Sequence, residues 1–416
     1  MKKATILGES GNYQGAVDEI EPLLPELKGA QKIRGLLVRA RAAFWLTDAA
    51  GSRKYSAEAT DLAKELGHEE LRGLALGAEM LVTSLEGRLA EGLVIGEEAL
   101  SIWQPGTQLA ELSDVGRQIS LHHYWMGDHV KGADHNKRAY ETGLENHHLD
   151  AALNSGAQYA MCLAGLGRHA EAFTVFEEVV ARGRELEFVP RFTGRALSMW
   201  AGAVREIHGV EESRRMNEEA FELGKQAVFR NTQLQTTTDI LLLDLLSGNI
   251  GRVEANLPSV IEDAKELKGW HEWLVGGRLA DISARLHLAL GSHEEAARVA
   301  NDAIEKATAV GRAKYESSGR RLLAEALAGM KQLEDAVAEA KKALIVATRI
   351  GHLPSVWDAA GTLSRVLGAT GDDEGSAVAA RTAKEAIEKE SDGLVDDHRT
   401  RFLAAEPIRE ILTSSS

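Results

Sequence analysis

Residues Leu149 to Leu186 read LDAALNSGAQYAMCLAGLGRHAEAFTVFEEVVARGREL, and this stretch decides the fold. Ala151, Ala152, Ala157, Tyr159, Ala160, Leu163 and Leu166 recur at the spacing of one helical face. Gly167-Arg168-His169 breaks the pattern, and Ala172, Phe173, Phe176, Val179 and Val180 resume it. Two helices joined by a tight turn is the result. Such a pair cannot bury its apolar faces alone, so it needs copies of itself to stack against.

The copies are present. Turn positions fall at Gly11, Thr47, Gly87, Gly127, Gly167, His208, Gly248, Gly291, Lys331 and Gly371, with spacings of 36, 40, 40, 40, 41, 40, 43, 40 and 40 residues. A period near forty predicts one helix-turn-helix unit repeated ten times. Counted from each turn, three columns of small residues emerge. Seven before it stand Ala4, Ala40, Met80, Ser120, Ala160, Ala201, Leu241, Ala284, Ala324 and Ser364. Five after it stand Ala16, Ser52, Gly92, Gly132, Ala172, Ser213, Val253, Ala296, Ala336 and Ser376. Twelve after it Ala59, Ala99, Ala139, Ala220, Ala303, Ala343 and Ala383 recur. Helices approach to about 8–10 Å only where the contact residues are small, so these columns mark where helix packs on helix. The predicted fold is an all-α, right-handed superhelical solenoid. Its stability is expected to be shared among neighbouring units.

Composition agrees. Of 416 residues 44% are hydrophobic but only 5% aromatic, which suits close-packed helices. The net charge of −15 argues against a general role on nucleic acid or anionic membrane. Cys162 is the only cysteine, so no intramolecular disulfide is available. The apolar stretch Ala4 to Leu7 is too short for a signal peptide, and no 18-residue apolar run occurs. A cytoplasmic protein is expected.

The units resemble the tetratricopeptide repeat, on segments such as Gly11-Asn12-Tyr13-Gln14-Gly15-Ala16-Val17 and Gly167-Arg168-His169-Ala170-Glu171-Ala172-Phe173. About six residues beyond that family's 34-residue form would lengthen both helices. Forty-residue units carrying Leu66-Gly67-His68 or Ile350-Gly351-His352 between repeats look more like the C-terminal helical arrays of large bacterial signalling ATPases, such as LuxR-type regulators and ATPase-linked nucleotide cyclases. No phosphate-binding Gly-x4-Gly-Lys-Ser/Thr motif and no DNA-binding helix-turn-helix accompanies them. The array is expected to span 1–390, beginning inside a truncated first repeat. A capping helix broken near Pro407 follows over 391–412, with Asp396-Asp397-His398-Arg399 facing water and a disordered tail at 413–416.

Candidate chemistry is sparse. Six histidines, His122, His123, His129, His135, His147 and His148, are too scattered for a metal set and read as solvated or turn-capping groups. Ala4 to Gly11 mimics a glycine-rich phosphate loop but falls in the repeat register. Trp270 and Trp273 would either stack on a ligand or pack on the preceding repeat. No catalytic set is expected, because an open solenoid keeps distant repeats apart.

In tetratricopeptide arrays the first helix of each unit lines the concave face. By that resemblance, positions thirteen, ten, six and three before each turn face inward: Arg117, Tyr124, Asn154, Met161, Arg195, Arg205, Gln235, Arg278, Asp281, Arg285, Arg321, Glu325 and Arg365. The arginines either form a positive stripe for an acidic protein or peptide segment, or pair with neighbouring carboxylates. The family's Lys/Asn carboxylate clamp is not reproduced, so a chaperone tail is not implied. The expected function is a non-enzymatic protein-interaction scaffold or regulatory module, with no cofactor and possible self-association. The alternative is a sensor enclosing a sugar or peptide effector, which a cavity lined by Trp or Tyr would favour over an open polar groove.

Overall fold

The computed structural model describes residues 1–9, 12–103, 110–145, 147, 149–185, 190–227 and 229–413. Among them every regular element is helical. Ten helix pairs and a single 3₁₀ turn at Glu21–Leu23 are followed by two short helices, with no strand. The fifth unit is Leu149–Gly165 with His169–Glu185, each 17 residues long, which is where the extra length over a 34-residue repeat resides. The first unit is short, with eight residues in each of Lys2–Glu9 and Tyr13–Ile20.

Each unit turns through one left-handed residue. Nine of the ten turn positions are described, and all nine have positive φ, from 58° at Thr47 and His208 to 89° at Gly127. At Gly127 the chain reverses over the helix end: Gly127 N donates to Tyr124 O at 3.1 Å and Asp128 N to His123 O at 2.8 Å. Those bonds satisfy carbonyls that have no partner within the helix. Glycine occupies such positions without penalty. Thr47, His208 and Lys331 hold the same conformation with a side chain, which costs about 1–2 kcal/mol each.

The small-residue columns are the contact lines. Ala40, Ala160, Ala201, Ala284 and Ala324 are wholly buried. Two of the serines that replace alanine bond across the same contact, Ser120 Oγ donating to Gly132 O at 2.5 Å and Ser213 Oγ to Ala201 O at 2.7 Å.

The array ends in two helices, Asp396–Ala404 and Glu406–Thr413, divided at Ala405, whose backbone is extended. Thr413 completes the last helix, and 414–416 lie outside the described residues. Asp396 and Asp397 face water as expected, but His398 and Arg401 turn inward onto Glu212, with Arg401 Nη2 2.8 Å from it.

Two substitutions test this framework by the denaturant midpoint. Lys331→Gly relieves about 1–2 kcal/mol of backbone strain and adds about 0.4–1 kcal/mol of unfolded-chain entropy, so it should stabilise by up to about 1.6 kcal/mol. Ala343→Phe overfills a wholly buried contact and should destabilise by about 1–3 kcal/mol.

Candidate functional site

Distant repeats do converge, because the superhelix closes on itself. Trp273, in the eighth unit, donates its indole N–H to Ser84 O of the third unit at 3.1 Å. Trp273 packs edge-on against Trp125, with ring centroids 4.9 Å apart, and Trp270 against Phe44 at 5.0 Å. Ala170 N donates to Gly393 O at 2.9 Å, and buried Glu390 accepts from Trp357 Nε1 at 2.7 Å with His169 Nε2 3.2 Å away. Apart from the Trp357–Glu390 bond, which lies within the tenth unit, each contact joins the chain to a point four to six units further along. The seam is tight. A Cβ built on Gly127 would fall 2.6 Å from Ile350 Cγ2, so glycine is required there for space as well as for its φ.

Closure turns the concave face into a lumen with two compartments. The first, about 1260 Å³ including the part open to solvent, is bounded by units two and four to nine. The second, about 850 Å³, is bounded by units six to ten. Arg205, Glu206, Lys314 and Tyr315 line both and form the partition between them.

The inward register places Tyr124, Asn154, Met161, Arg195, Arg205, Gln235 and Arg278 on the first compartment. Asp281, Arg285 and Arg321 line the second. Arg117 is buried and lines neither, and Arg365 stands outside both, bonded to Glu325 at 2.9 Å. The arginines therefore form no single stripe. Trp270 does line the first compartment, whereas Trp273 is consumed by the seam. Both pack against units one superhelical turn back, not against the preceding repeat.

The sequence reading missed Arg312, Lys314 and Tyr315. Its inward stripe stopped one helical step short. Sixteen residues before the turns at His208, Gly248, Lys331 and Gly371, three beyond the last position counted, stand Phe192, Thr232, Tyr315 and Ser355, all of which line the lumen. Arg312 and Lys314 begin the ninth unit, where Arg312 folds onto carbonyls of the preceding unit and Lys314 reaches Glu206 three units earlier.

Charge is unevenly distributed. In the second compartment Arg285 pairs with Asp281 at 2.7 Å, and Arg321 with Glu325 at 2.8 Å and Asp358 at 2.9 Å. In the first, Arg195, Arg205, Arg278, Arg312 and Lys314 line the wall with one carboxylate, Glu206, which is paired with Lys314. Arg205 and Arg278 share Asp239, at 2.7 and 3.2 Å. Burial would raise the Glu206 carboxyl, yet Lys314, His352 and Arg205 hold it well below the usual range. Burial would likewise raise the Tyr315 phenol, but Arg278, Arg312, Lys314 and Arg205 bring it below its ordinary value. The pocket is a positive region in an acidic protein.

His122, His123 and His129 are packed inside the fold rather than solvated, whereas His147 is exposed in a turn as expected. His122 is buried, with Nε2 2.6 Å from Ser84 Oγ and Nδ1 3.2 Å from Leu89 O. His123 and His129 are also buried, His135 is half-buried, and His147 sits in a turn at φ 59°. His148 lies outside the described residues, as does Gly11 in the loop-like N-terminal stretch. Among the described residues no three potential ligands gather as a metal site.

Neither a protein-family model nor a curated protein sequence matches the chain. Solved structures share its fold. The Rap protein complexed with competence and sporulation factor aligns over 84% of this chain and 96% of its own, at 13% identity and a TM-score of 0.64. The Rap conjugation gene regulator of plasmid pLS20 in complex with the Phr* peptide aligns over 88% and 98%, at 11% identity and 0.56. The apo quorum sensor NprR from B. thuringiensis aligns over 93% and 97%, at 12% identity and 0.50. The chain is thus a tetratricopeptide-like helical array. No described helix is long and apolar enough to cross a membrane.

Burial lowers His122, His129 and His271 each to about 3. The unfolded chain then binds protons, from about pH 6.5 downward, that the folded chain refuses, so stability is full above that pH and falls toward pH 3. The urea midpoint should be lower at pH 5 than at pH 7.5, and His129→Leu should reduce the difference.

Proposed function

We propose that the chain is a non-catalytic regulatory sensor whose lumen takes a short peptide effector. The observation that carries this is enclosure. Trp45, Tyr124, Trp125, Trp270 and Tyr315 line one cavity together with the carboxamides of Asn154 and Gln235. Aromatic walls bury apolar side chains, and convergent carboxamides suit the donors and acceptors of a peptide backbone. The compartment spans about 1260 Å³ including the part open to solvent, so an extended ligand can enter it from the mouth. Of the structures of like fold, the Rap regulator of plasmid pLS20 is in complex with the Phr* peptide and the Rap protein is complexed with competence and sporulation factor. This favours the effector reading over a scaffold that binds proteins along an open groove.

A protein partner still has a place in the scheme. The concave face of the first four units holds a separate groove of about 1200 Å³, with Leu37, Val38, Leu74 and Leu81 along it and exposed Arg34 and Arg41 beside them. Occupancy of the lumen would be read out there or, if the array belongs to a larger signalling ATPase, by that protein's other domains.

Gly202 provides the test. It lines the first compartment on a helix, and a Cβ added to it meets nothing within 4 Å. Gly202→Trp should fill the lumen without loss of stability, since glycine inside a helix costs about 0.5–1 kcal/mol relative to alanine. Equilibrium dialysis against an equimolar pool of random pentapeptides should show retention by the wild type and none by this variant. Gly251→Trp, on an exposed second helix with equal space, should retain the pool. Equal retention by both variants would place peptide binding outside the lumen.

A further inference from the structure

The first compartment holds positive charge that the protein itself does not neutralise. Arg312 is the centre of it. Its Nη1 donates to the carbonyls of Trp273 and Leu274, at 3.1 and 3.3 Å, both uncharged acceptors. Among the described residues no carboxylate pairs with it. Its guanidinium lies 3.9 Å from the Tyr315 ring centroid, and the charges of Arg278 and Arg312 both act on the Tyr315 phenol. Arg278 in turn shares the single carboxylate of Asp239 with Arg205, so two guanidiniums divide one negative charge.

This arrangement is built, not incidental. A Cβ on Gly277 would fall 2.7 Å from Arg312 Nη1, so glycine makes the space into which Arg312 folds. The second compartment lacks any such excess. There Arg285 and Arg321 each have their own carboxylates, and Lys314 is taken by Glu206. Burying cations without partners is costly, and a ligand that brings the missing negative charge regains that cost on binding. A planar carboxylate matches guanidinium donors in the geometry that gives the strongest hydrogen bonds.

Resting on the peptide-sensor reading, we propose that the bound effector is anchored by a carboxylate held between Arg278, Arg312 and the Tyr315 hydroxyl. The carboxylate is supplied by the peptide's free C-terminus or by an Asp or Glu side chain. The ligand is thereby oriented, its acid at the partition and its apolar side chains toward Trp45, Trp125 and Trp270.

Two pools of random pentapeptides, one of free acids and one of C-terminal amides, dialysed against the wild-type chain, separate the outcomes. Retention of the free acids about tenfold above the amides, the factor that corresponds to one charge-assisted bond, assigns the anchor to the C-terminus. Equal retention of both pools with the bound peptides enriched in Asp or Glu assigns it to a side chain. Equal retention with no acidic enrichment overturns the anchor and leaves the peptide reading standing. Retention of neither pool removes the peptide reading, and the anchor with it. In the variants, Arg312→Gln should abolish the selectivity for acids, and Gly277→Ala, which displaces Arg312, should weaken it. Arg285→Gln, whose charge belongs to Asp281, should leave it unchanged. Helical circular dichroism verifies that each variant is folded, and the comparison of pools on the wild type needs no variant at all.

Discussion

Contact between successive turns of the superhelix is the constraint on which the molecule depends. An array in which each unit touches only its neighbours presents an open trough. Here the third unit meets the eighth, and the fifth and sixth meet the tenth and the terminal helices. The apolar core records this, since one continuous buried cluster runs from Tyr140 through Ala220 and resumes from Leu353 to Ile411. A second joins Phe44, Leu85 and Trp125 to Trp270. Without the seam there would be no enclosed space, and the inward side chains would be ordinary surface.

Enclosure changes what those side chains are worth. Exposed ion pairs contribute about 0–1 kcal/mol, whereas the same groups removed from water interact strongly and must be balanced. The second compartment meets that requirement internally, with arginine against carboxylate. The first does not, and its positive field is the one feature of the inner face that points outward, to a ligand. Seam and field are also built from shared residues. Lys314 lines the lumen and pairs with Glu206 from three repeats earlier, while Arg312 lines it and bonds to carbonyls beside the seam tryptophan.

The repeats were legible in the sequence because their causes are local. A left-handed turn every forty residues wants glycine, and close helix contacts want alanine or serine, so each requirement left a column that alignment within the chain exposes. The inward positions were legible for the same reason, as Asn154, Arg278 and Arg321 illustrate. Closure was not. It depends on a small rotation between units summed over more than four of them, and no single column encodes a sum. Trp270 and Trp273 were visible as unusual, but their partners, Phe44 and Ser84, lie some two hundred residues away. His129 and His169 read as polar turn residues, since nothing near them in sequence signals burial. The division of the arginines is local instead: Asp281 and Glu325 stand four residues from Arg285 and Arg321 on the same helices, and Asp239 and Asp358 come from adjacent units.

The seam has a consequence for how the chain comes to be folded. A simple repeat array nucleates anywhere and grows outward, unit by unit, through short-range contacts. His169 and Glu390, or Ser84 and Trp273, are 221 and 189 residues apart, and bringing such ends together is entropically expensive and slow. During synthesis the third to sixth units emerge first, with the seam faces of Leu85, Trp125 and Phe173 uncovered until the last three units arrive. The nascent chain is therefore an open helical ribbon with an apolar edge. It becomes a closed body only once the eighth to tenth units have been made.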